Sequence, residues 1–140
     1  MKKITPFLIA LLLLAAAPTM QSQVVINEVL SSNSTVLADE NGSYEDWVEL
    51  FNTGASSVNL NGYGLSDDAA VPLKWIFPNV SIGAGQYLLV WCSDKNRRVP
   101  GSPLHTNFKI SSEGESVLLS TAAGVLVNNS PATASLQNIS

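Results

Sequence analysis

The fold is decided by one stretch, Glu45-Asp46-Trp47-Val48-Glu49-Leu50-Phe51-Asn52, whose side chains alternate as in an extended strand. Val48 and Leu50 lie on one face of such a strand, while Trp47, Glu49 and Phe51 lie on the other. One face is therefore apolar and the other is mixed, which is typical of a strand in a two-layer β structure. The stretch contains no catalytic pattern, so it predicts architecture only.

Short strand-like runs recur from Gln23 onward, and no stretch there has the periodicity of a helix. Turn residues such as Asn61-Gly62 separate the runs. About eight or nine short strands in this length predict an all-β fold, a β-sandwich or a small barrel. The run Gln86–Cys92 is the most continuous apolar run of the predicted domain, and it predicts a central strand, buried on both faces and lying across the core from the Trp47 strand. We expect Trp91 to face the core between the sheets.

The N-terminus has the layout of a secretory signal peptide. Two lysines form a basic start, an apolar run follows from Phe7 to Ala17, and a polar patch ends the segment. We place the cleavage after Ser22, which divides the chain into a signal peptide, residues 1–22, and a domain, residues 23–140. An uncleaved membrane anchor is the competing interpretation, although the run is short for a membrane span. The expected location is therefore secreted or on the cell surface.

The predicted domain is acidic, with five Lys and Arg against eleven Asp and Glu, a formal charge of −6. Binding along a phosphate backbone needs clustered cations, so nucleic acid is not an expected partner. Cys92 is the single cysteine and has no partner for an internal disulfide. Its apolar neighbours predict a buried thiol, so the domain must hold together by packing alone.

Eight of the eleven acidic residues fall in the first half of the predicted domain: Glu28, Asp39, Glu40, Glu45, Asp46, Glu49, Asp67 and Asp68. Ca²⁺ binds roughly six to eight oxygen atoms from carboxylates, amides and carbonyls. The loop Asp39–Ser43 supplies such oxygens, but its glycine comes too early for an EF-hand. The candidate ligands for Ca²⁺ are Asp39, Asn41 and Asp46. The alternative is that these acids keep the loops soluble and cap turns.

No catalytic site can be assembled from the sequence, so we expect neither an enzyme nor any cofactor besides the candidate Ca²⁺. Asp67 and Asp68 are adjacent and would point to opposite faces of an extended strand, which does not suit an acid–base pair. His105 is the only histidine, and we expect it to be a hydrogen-bonded structural residue. A thiolate role for Cys92 would need exposure and a base, and a buried strand offers neither.

Lys95, Arg97 and Arg98 form the one basic cluster and are the candidate binding residues. They could contact nucleic acid, an acidic polysaccharide or a neighbouring domain. A solvated loop is the alternative, which three cations without interleaved aromatic residues in an acidic background favour. Glycan binding by stacking would need exposed Trp or Tyr side chains, and we expect the aromatic residues in the core.

Several short motifs follow one another in order from Ile26 to the end of the chain. They are Ile26–Val29, Ala38–Gly42, Asp46–Asn52, Val58–Asp68, Lys74–Pro78, Ile82–Val90, Leu104–Ser111 and Gly114–Ser120. Each motif is unspecific alone, but in this order they resemble the bacterial lamin-tail domain. The resemblance covers nearly the whole predicted domain.

The resemblance implies an immunoglobulin-like β-sandwich without catalytic machinery. In bacteria such domains usually sit beside other modules of secreted or surface proteins, for example spore-coat-H kinase-like modules or secreted nucleases. Family members usually close with a further strand, and this chain ends at Ser140 about where that strand would begin. This ending suggests a domain truncated at its C-terminal end and a fragment of a longer protein.

These observations favour a non-catalytic secreted or cell-surface binding or adapter module, the N-terminal part of a larger exported protein. One alternative is the accessory domain of a secreted enzyme whose catalytic part lies beyond Ser140. A purely structural surface spacer is the other. The partner is not predicted beyond a protein or a glycan at the cell surface.

Overall fold

The computed structural model describes residues 23–130. The predicted signal peptide, residues 1–22, lies outside the described residues, as do the last ten residues of the predicted domain. Within residues 23–130 the chain forms ten β-strands and no helix, which confirms the predicted all-β fold.

Eight of the strands form the two four-stranded sheets of an immunoglobulin-like sandwich, as expected. The first sheet has the order β1-β2-β7-β8, with β1 (Val24–Leu30), β2 (Asp46–Asn52), β7 (Tyr87–Cys92) and β8 (Leu104–His105). The second has the order β10-β9-β4-β5, with β4 (Gly64–Ser66), β5 (Trp75–Ile76), β9 (Leu118–Ser120) and β10 (Leu126–Asn129). A small third sheet pairs β3 (Val58–Asn59) with β6 (Ser81–Ile82). Strands of two residues are too short to show an alternation, so the sequence suggests fewer than ten.

β2 is the inner strand on which the first sheet is built. It pairs antiparallel with β1 along one edge and with β7 along the other, so that Trp47 lies opposite both Leu30 and Trp91. The Tyr87–Cys92 strand is therefore a neighbour of β2 in the same sheet, and the expectation that it lies across the core is wrong. A β-bulge at Asn27 interrupts the pairing of β1 with β2.

The main core lies between the two sheets and follows the alternation of β2. Val48 and Leu50 are fully buried there, in one cluster with Leu65 and Leu119 of the second sheet. Burying one such side chain contributes about 1.5–3 kcal/mol relative to leaving it exposed. Cys92 belongs to the same core, which confirms the prediction of a buried thiol.

A second, smaller cluster covers the outer face of the first sheet and contains Leu30, Trp47 and Trp91. The prediction that Trp91 faces the core between the sheets is wrong. Val90 and Cys92 occupy those core positions, and the alternation along β7 turns Trp91 outward. Trp91 is nevertheless only 5% exposed.

Tyr87 also departs from the expectation that the aromatic residues lie in the core. It begins β7 on the same outer face, and its side chain is 56% exposed. The outer face of the first sheet is therefore covered at the tryptophan end of β2 and open at the Tyr87 end.

Gly64 is expected to tolerate no side chain. It lies in β4 between β5 and β9, and a Cβ atom added to it would stand 2.3 Å from the carbonyl oxygen of Pro72. Because backbone atoms cannot move aside as a side chain can, Gly64→Ala should lower the free energy of unfolding by about 1–3 kcal/mol. Guanidinium chloride denaturation measures this loss.

Gly83→Ala is the matched control for this substitution. A Cβ atom at Gly83 would meet only the flexible side chain of Gln86, at 3.1 Å. The control should therefore change the unfolding free energy by less than about 0.5 kcal/mol. Equal losses in the two variants would contradict a special backbone constraint at Gly64.

Candidate functional site

Two loops of opposite charge meet although more than fifty residues separate them along the chain. We call residues 39–45 the acidic loop and residues 94–103 the basic loop. Lys95 binds the carboxylate of Asp39, and Arg97 binds the carboxylate of Glu40. Two cations of the predicted basic cluster therefore neutralise three acids of the predicted acidic cluster, since Lys95 also pairs with Glu45.

Asp39 is a buried carboxylate ordered by its own loop. Its Oδ1 accepts hydrogen bonds from the backbone N–H groups of Asn41 and Ser43, each at 2.9 Å. Gly42 permits this turn by adopting a φ of 79°, which glycine takes without strain. Burial would raise the pKa of Asp39, but the bond from Lys95 and the two N–H groups outweigh it and lower the pKa from 3.8 to about 2.

His105 joins the acidic loop to the first sheet. Its Nε2 lies 3.0 Å from both carboxylate oxygens of Glu40, and its Nδ1 lies 2.8 Å from the hydroxyl oxygen of Ser93. β8 runs parallel to β7 and places His105 opposite Trp91, with the two ring centroids 6.3 Å apart. Burial would raise the pKa of Glu40, but its own backbone N–H, His105 and Arg97 together lower it.

The series Ser93, His105 and Glu40 has the connectivity of a nucleophile, a base and an acid. A nucleophile must reach its substrate, and here the hydroxyl lies on a residue that is only 4% exposed, beside a fully buried imidazole. We conclude that this hydrogen-bonded series attaches the acidic loop to the sheet.

Asp39, Glu40 and His105 also bring three potential metal ligands within 4.8 Å of one another. The sequence shows no sign of this group, because Glu40 and His105 are 65 residues apart along the chain. Lys95 and Arg97 already neutralise the two carboxylates, so a metal ion would have to displace both cations. The imidazole nitrogen is moreover a ligand that suits Zn²⁺ better than Ca²⁺.

The three residues predicted to bind Ca²⁺ are engaged in different interactions. Asp46 lies in β2, where its Oδ1 accepts a hydrogen bond from the N–H of Asn33 at 3.2 Å and burial raises its pKa. Asn41 accepts a hydrogen bond from Arg97 at 3.0 Å. Within residues 23–130 no hydrogen bond joins Asp46 to Asp39 or Asn41, and the Ca²⁺ site stays a prediction.

The basic loop borders a cleft of about 510 Å³ whose lining includes Glu40, Arg98, Val99 and Pro103. Four of the five cations in residues 23–130 form ion pairs, and Arg98 does not. The three candidate binding residues therefore divide into two kinds. Lys95 and Arg97 hold the acidic loop, whereas Arg98 lines the cleft with an uncompensated charge.

A comparison with known families matches residues 17–136 to the Lamin Tail Domain. The chain belongs to the lamin tail domain family. Members of this family are immunoglobulin-like, non-catalytic domains, in agreement with the two sheets described above. No curated protein sequence matches the chain. Among residues 23–130, no helix is long and apolar enough to cross a membrane.

The single thiol of this lamin tail domain is not placed for chemistry. Cys92 is fully buried between the sheets, and burial raises the pKa of its thiol well above the ordinary value. The thiol therefore stays protonated at neutral pH and acts as a small apolar group.

Asp39→Asn measures how much the loop pairing stabilises the lamin tail domain. A carboxyl pKa lowered from 3.8 to about 2 on folding corresponds to about 2 kcal/mol. This stability is present above the unfolded pKa of 3.8 and is lost as the pH falls through about 2. The variant should therefore lose about 2 kcal/mol of unfolding free energy at neutral pH, and its difference from the natural chain should close towards pH 2.

Guanidinium chloride denaturation at several pH values measures this difference, with Asp94→Asn as the matched control. Asp94 is exposed in the basic loop with a φ of 64°, a conformation that asparagine also adopts. The control should change the unfolding free energy by less than about 0.5 kcal/mol at every pH. A loss in Asp39→Asn that does not vary with pH would contradict the role of the ionised carboxylate.

Proposed function

We propose that this lamin tail domain is a non-catalytic binding module of an exported protein and that it holds a partner protein at the cleft beside Arg98. The observation that carries the proposal is the uncompensated guanidinium of Arg98 in a domain whose other described cations are all in ion pairs. Export is inferred from the signal-peptide pattern of residues 1–22.

The lining of the cleft indicates what kind of partner fits. The Arg98 guanidinium can donate two parallel hydrogen bonds to one carboxylate, and Val99 and Pro103 offer apolar surface beside it. Val99 is 61% exposed, so a partner that covers it gains hydrophobic contact. A protein segment with one carboxylate next to an aliphatic side chain matches both features.

The charge of the domain argues against a polyanionic partner. Residues 23–140 carry a formal charge of −6, and Glu40 itself lines the cleft. A nucleic acid or an acidic polysaccharide would be repelled by this background. A single carboxylate in an otherwise neutral segment meets Arg98 without that penalty.

The cleft is held in shape before a partner arrives. Arg97 and His105 exchange two backbone hydrogen bonds of 2.9 and 3.0 Å, and the N–H of Asn96 donates to Thr106 at 2.9 Å. The ion pairs of Lys95 and Arg97 hold the same loop from the other side. A preformed loop loses little conformational entropy on binding, which favours a recognition role over a merely connecting one.

The test uses two synthetic peptides that differ at one position. One carries a single glutamate beside a leucine between neutral residues, and the other carries glutamine in place of the glutamate. Titration of the full chain, followed by amide NMR, should shift the backbone amide signals of the non-proline residues in the range 96–102 with the first peptide only. Arg98→Ala should weaken this binding at least fivefold, because the carboxylate then has no free cation to meet.

Lys109→Ala is the matched control, since it removes one positive charge from an exposed side chain that does not line the cleft. Its affinity for the glutamate peptide should equal that of the natural chain. Equal binding of the two peptides, or an equal loss in both variants, would contradict the proposal. Absence of any shift would favour the structural spacer.

A further inference from the structure

The outer face of the first sheet carries an open aromatic surface that is separate from the cleft. Val25 lies opposite Phe51 in the pairing of β1 with β2, and Phe51 lies opposite Tyr87 in the pairing of β2 with β7. We call Phe51 and Tyr87, together with the valine beside them, the aromatic row. The rings of Phe51 and Tyr87 are stacked, with centroids 4.5 Å apart and an interplanar angle of 24°.

Tyr87 is exposed because the sheet stops short beside it. Within β7, β8 pairs only with Val90 and Trp91, so among residues 23–130 β8 does not continue alongside Tyr87. Phe51 therefore covers one face of the tyrosine ring, and the side away from β2 has no strand to cover it. The result is a 56% exposed side chain held in place by its stacked neighbour.

Hydrogen-bonding groups adjoin the aromatic row. Glu49 precedes Phe51 by two positions in β2, so it lies on the same face at about 7 Å along the strand. Asn27, the bulged residue of β1, donates its Nδ2 hydrogen to Glu49 at 2.7 Å. This bond fixes both side chains and leaves carboxylate lone pairs and amide groups free for further hydrogen bonds.

We propose that the aromatic row, with Glu49 and Asn27, binds a neutral carbohydrate. The C–H groups of a sugar ring carry partial positive charge and pack against the electron-rich face of an aromatic ring. Hydroxyl groups at the edge of the same sugar can donate charge-assisted hydrogen bonds to Glu49. Tyr87 supplies the stacking surface, and Glu49 and Asn27 orient the sugar.

The charges of this face select the class of carbohydrate. Neither the aromatic row nor the pair of Asn27 and Glu49 contains a cation, and Glu28 lies opposite Glu49 in the sheet. Anionic glycans and phosphate groups would therefore meet carboxylates without compensation. Uncharged sugars present neutral hydrogen-bond donors and acceptors, which the side chains of Asn27 and Glu49 can satisfy.

The probes for this proposal are three neutral hexasaccharides, cellohexaose, fully N-acetylated chitohexaose and mannohexaose, with a heparin hexasaccharide as the anionic comparison. Amide NMR of the full chain should show shifts at residues 49–51 and 87–89 with at least one neutral probe and none with heparin. Tyr87→Leu should weaken binding at least tenfold, whereas Tyr87→Phe should retain it, because only the ring face is needed. Glu49→Gln should weaken it about threefold to fivefold through the loss of the charge-assisted bond.

Tyr44→Ala is the control, because Tyr44 is a similarly exposed tyrosine, 51% against 56%, that does not belong to the aromatic row. The Tyr44→Ala variant should bind the same probe with unchanged affinity.

The proposal is overturned if no neutral hexasaccharide shifts the signals of residues 49–51 and 87–89, if heparin binds more tightly, or if Tyr87→Leu binds as well as the natural chain. A concentration-dependent dimer in sedimentation that Tyr87→Leu abolishes would instead assign the row to self-association. If carbohydrate binding fails, the proposed binding at the Arg98 cleft is unaffected, since the two surfaces share no residue.

Discussion

β2 has partner strands on both edges and apolar side chains on both faces. Most of the structure depends on hydrogen-bonding both edges and covering both faces of this strand at once. β1 and β7 pair with its two edges, and the second sheet covers Val48 and Leu50. Because side chains alternate with a period of two, the same register necessarily turns Trp47 to the outer face. Leu30 and Trp91 meet it there, directly opposite in the two neighbouring strands. Where this outer cover ends, Tyr87 remains exposed.

The second constraint is the compensation of buried charge. A buried carboxylate such as Asp39 is stable only when paired and hydrogen-bonded, and Lys95 supplies that partner from the opposite loop. Glu40 is held in the same way by Arg97 and His105. The same carboxylates and imidazole would resemble catalytic or metal-binding groups if each were considered alone. In the structure they pair with one another and with the cations, and these pairs order the loops. Among the described cations Arg98 alone has no ion pair, so its charge remains available at the cleft, whereas the charges of the acidic loop are compensated.

The sequence allowed the fold class, the inner strand and the buried thiol to be predicted, because each depends on local alternation and composition. It did not allow the orientation of Trp91 or the exposure of Tyr87 to be predicted, since both depend on which strand lies beside which. A continuous apolar run such as Tyr87–Cys92 shows no alternation, so its two faces cannot be told apart without knowledge of the packing. The candidate binding residues Lys95, Arg97 and Arg98 stay a prediction, and the sequence did not show which of these cations form ion pairs.

The sequence by itself determined an all-β domain and the positions of its turns, since alternation and turn chemistry act over a few residues, and the order of its motifs gave the resemblance to the lamin tail family. Only the tertiary structure decided which charges survive at the surface and which aromatic rings stay open. Those outcomes arise from contacts between residues far apart in the chain, such as the 65 positions between Glu40 and His105. They also depend on β8, which begins at Leu104 opposite Val90 and therefore does not lie beside Tyr87. Pairings at that separation leave no local pattern in the sequence, so only the folded structure shows which charges and aromatic rings stay exposed.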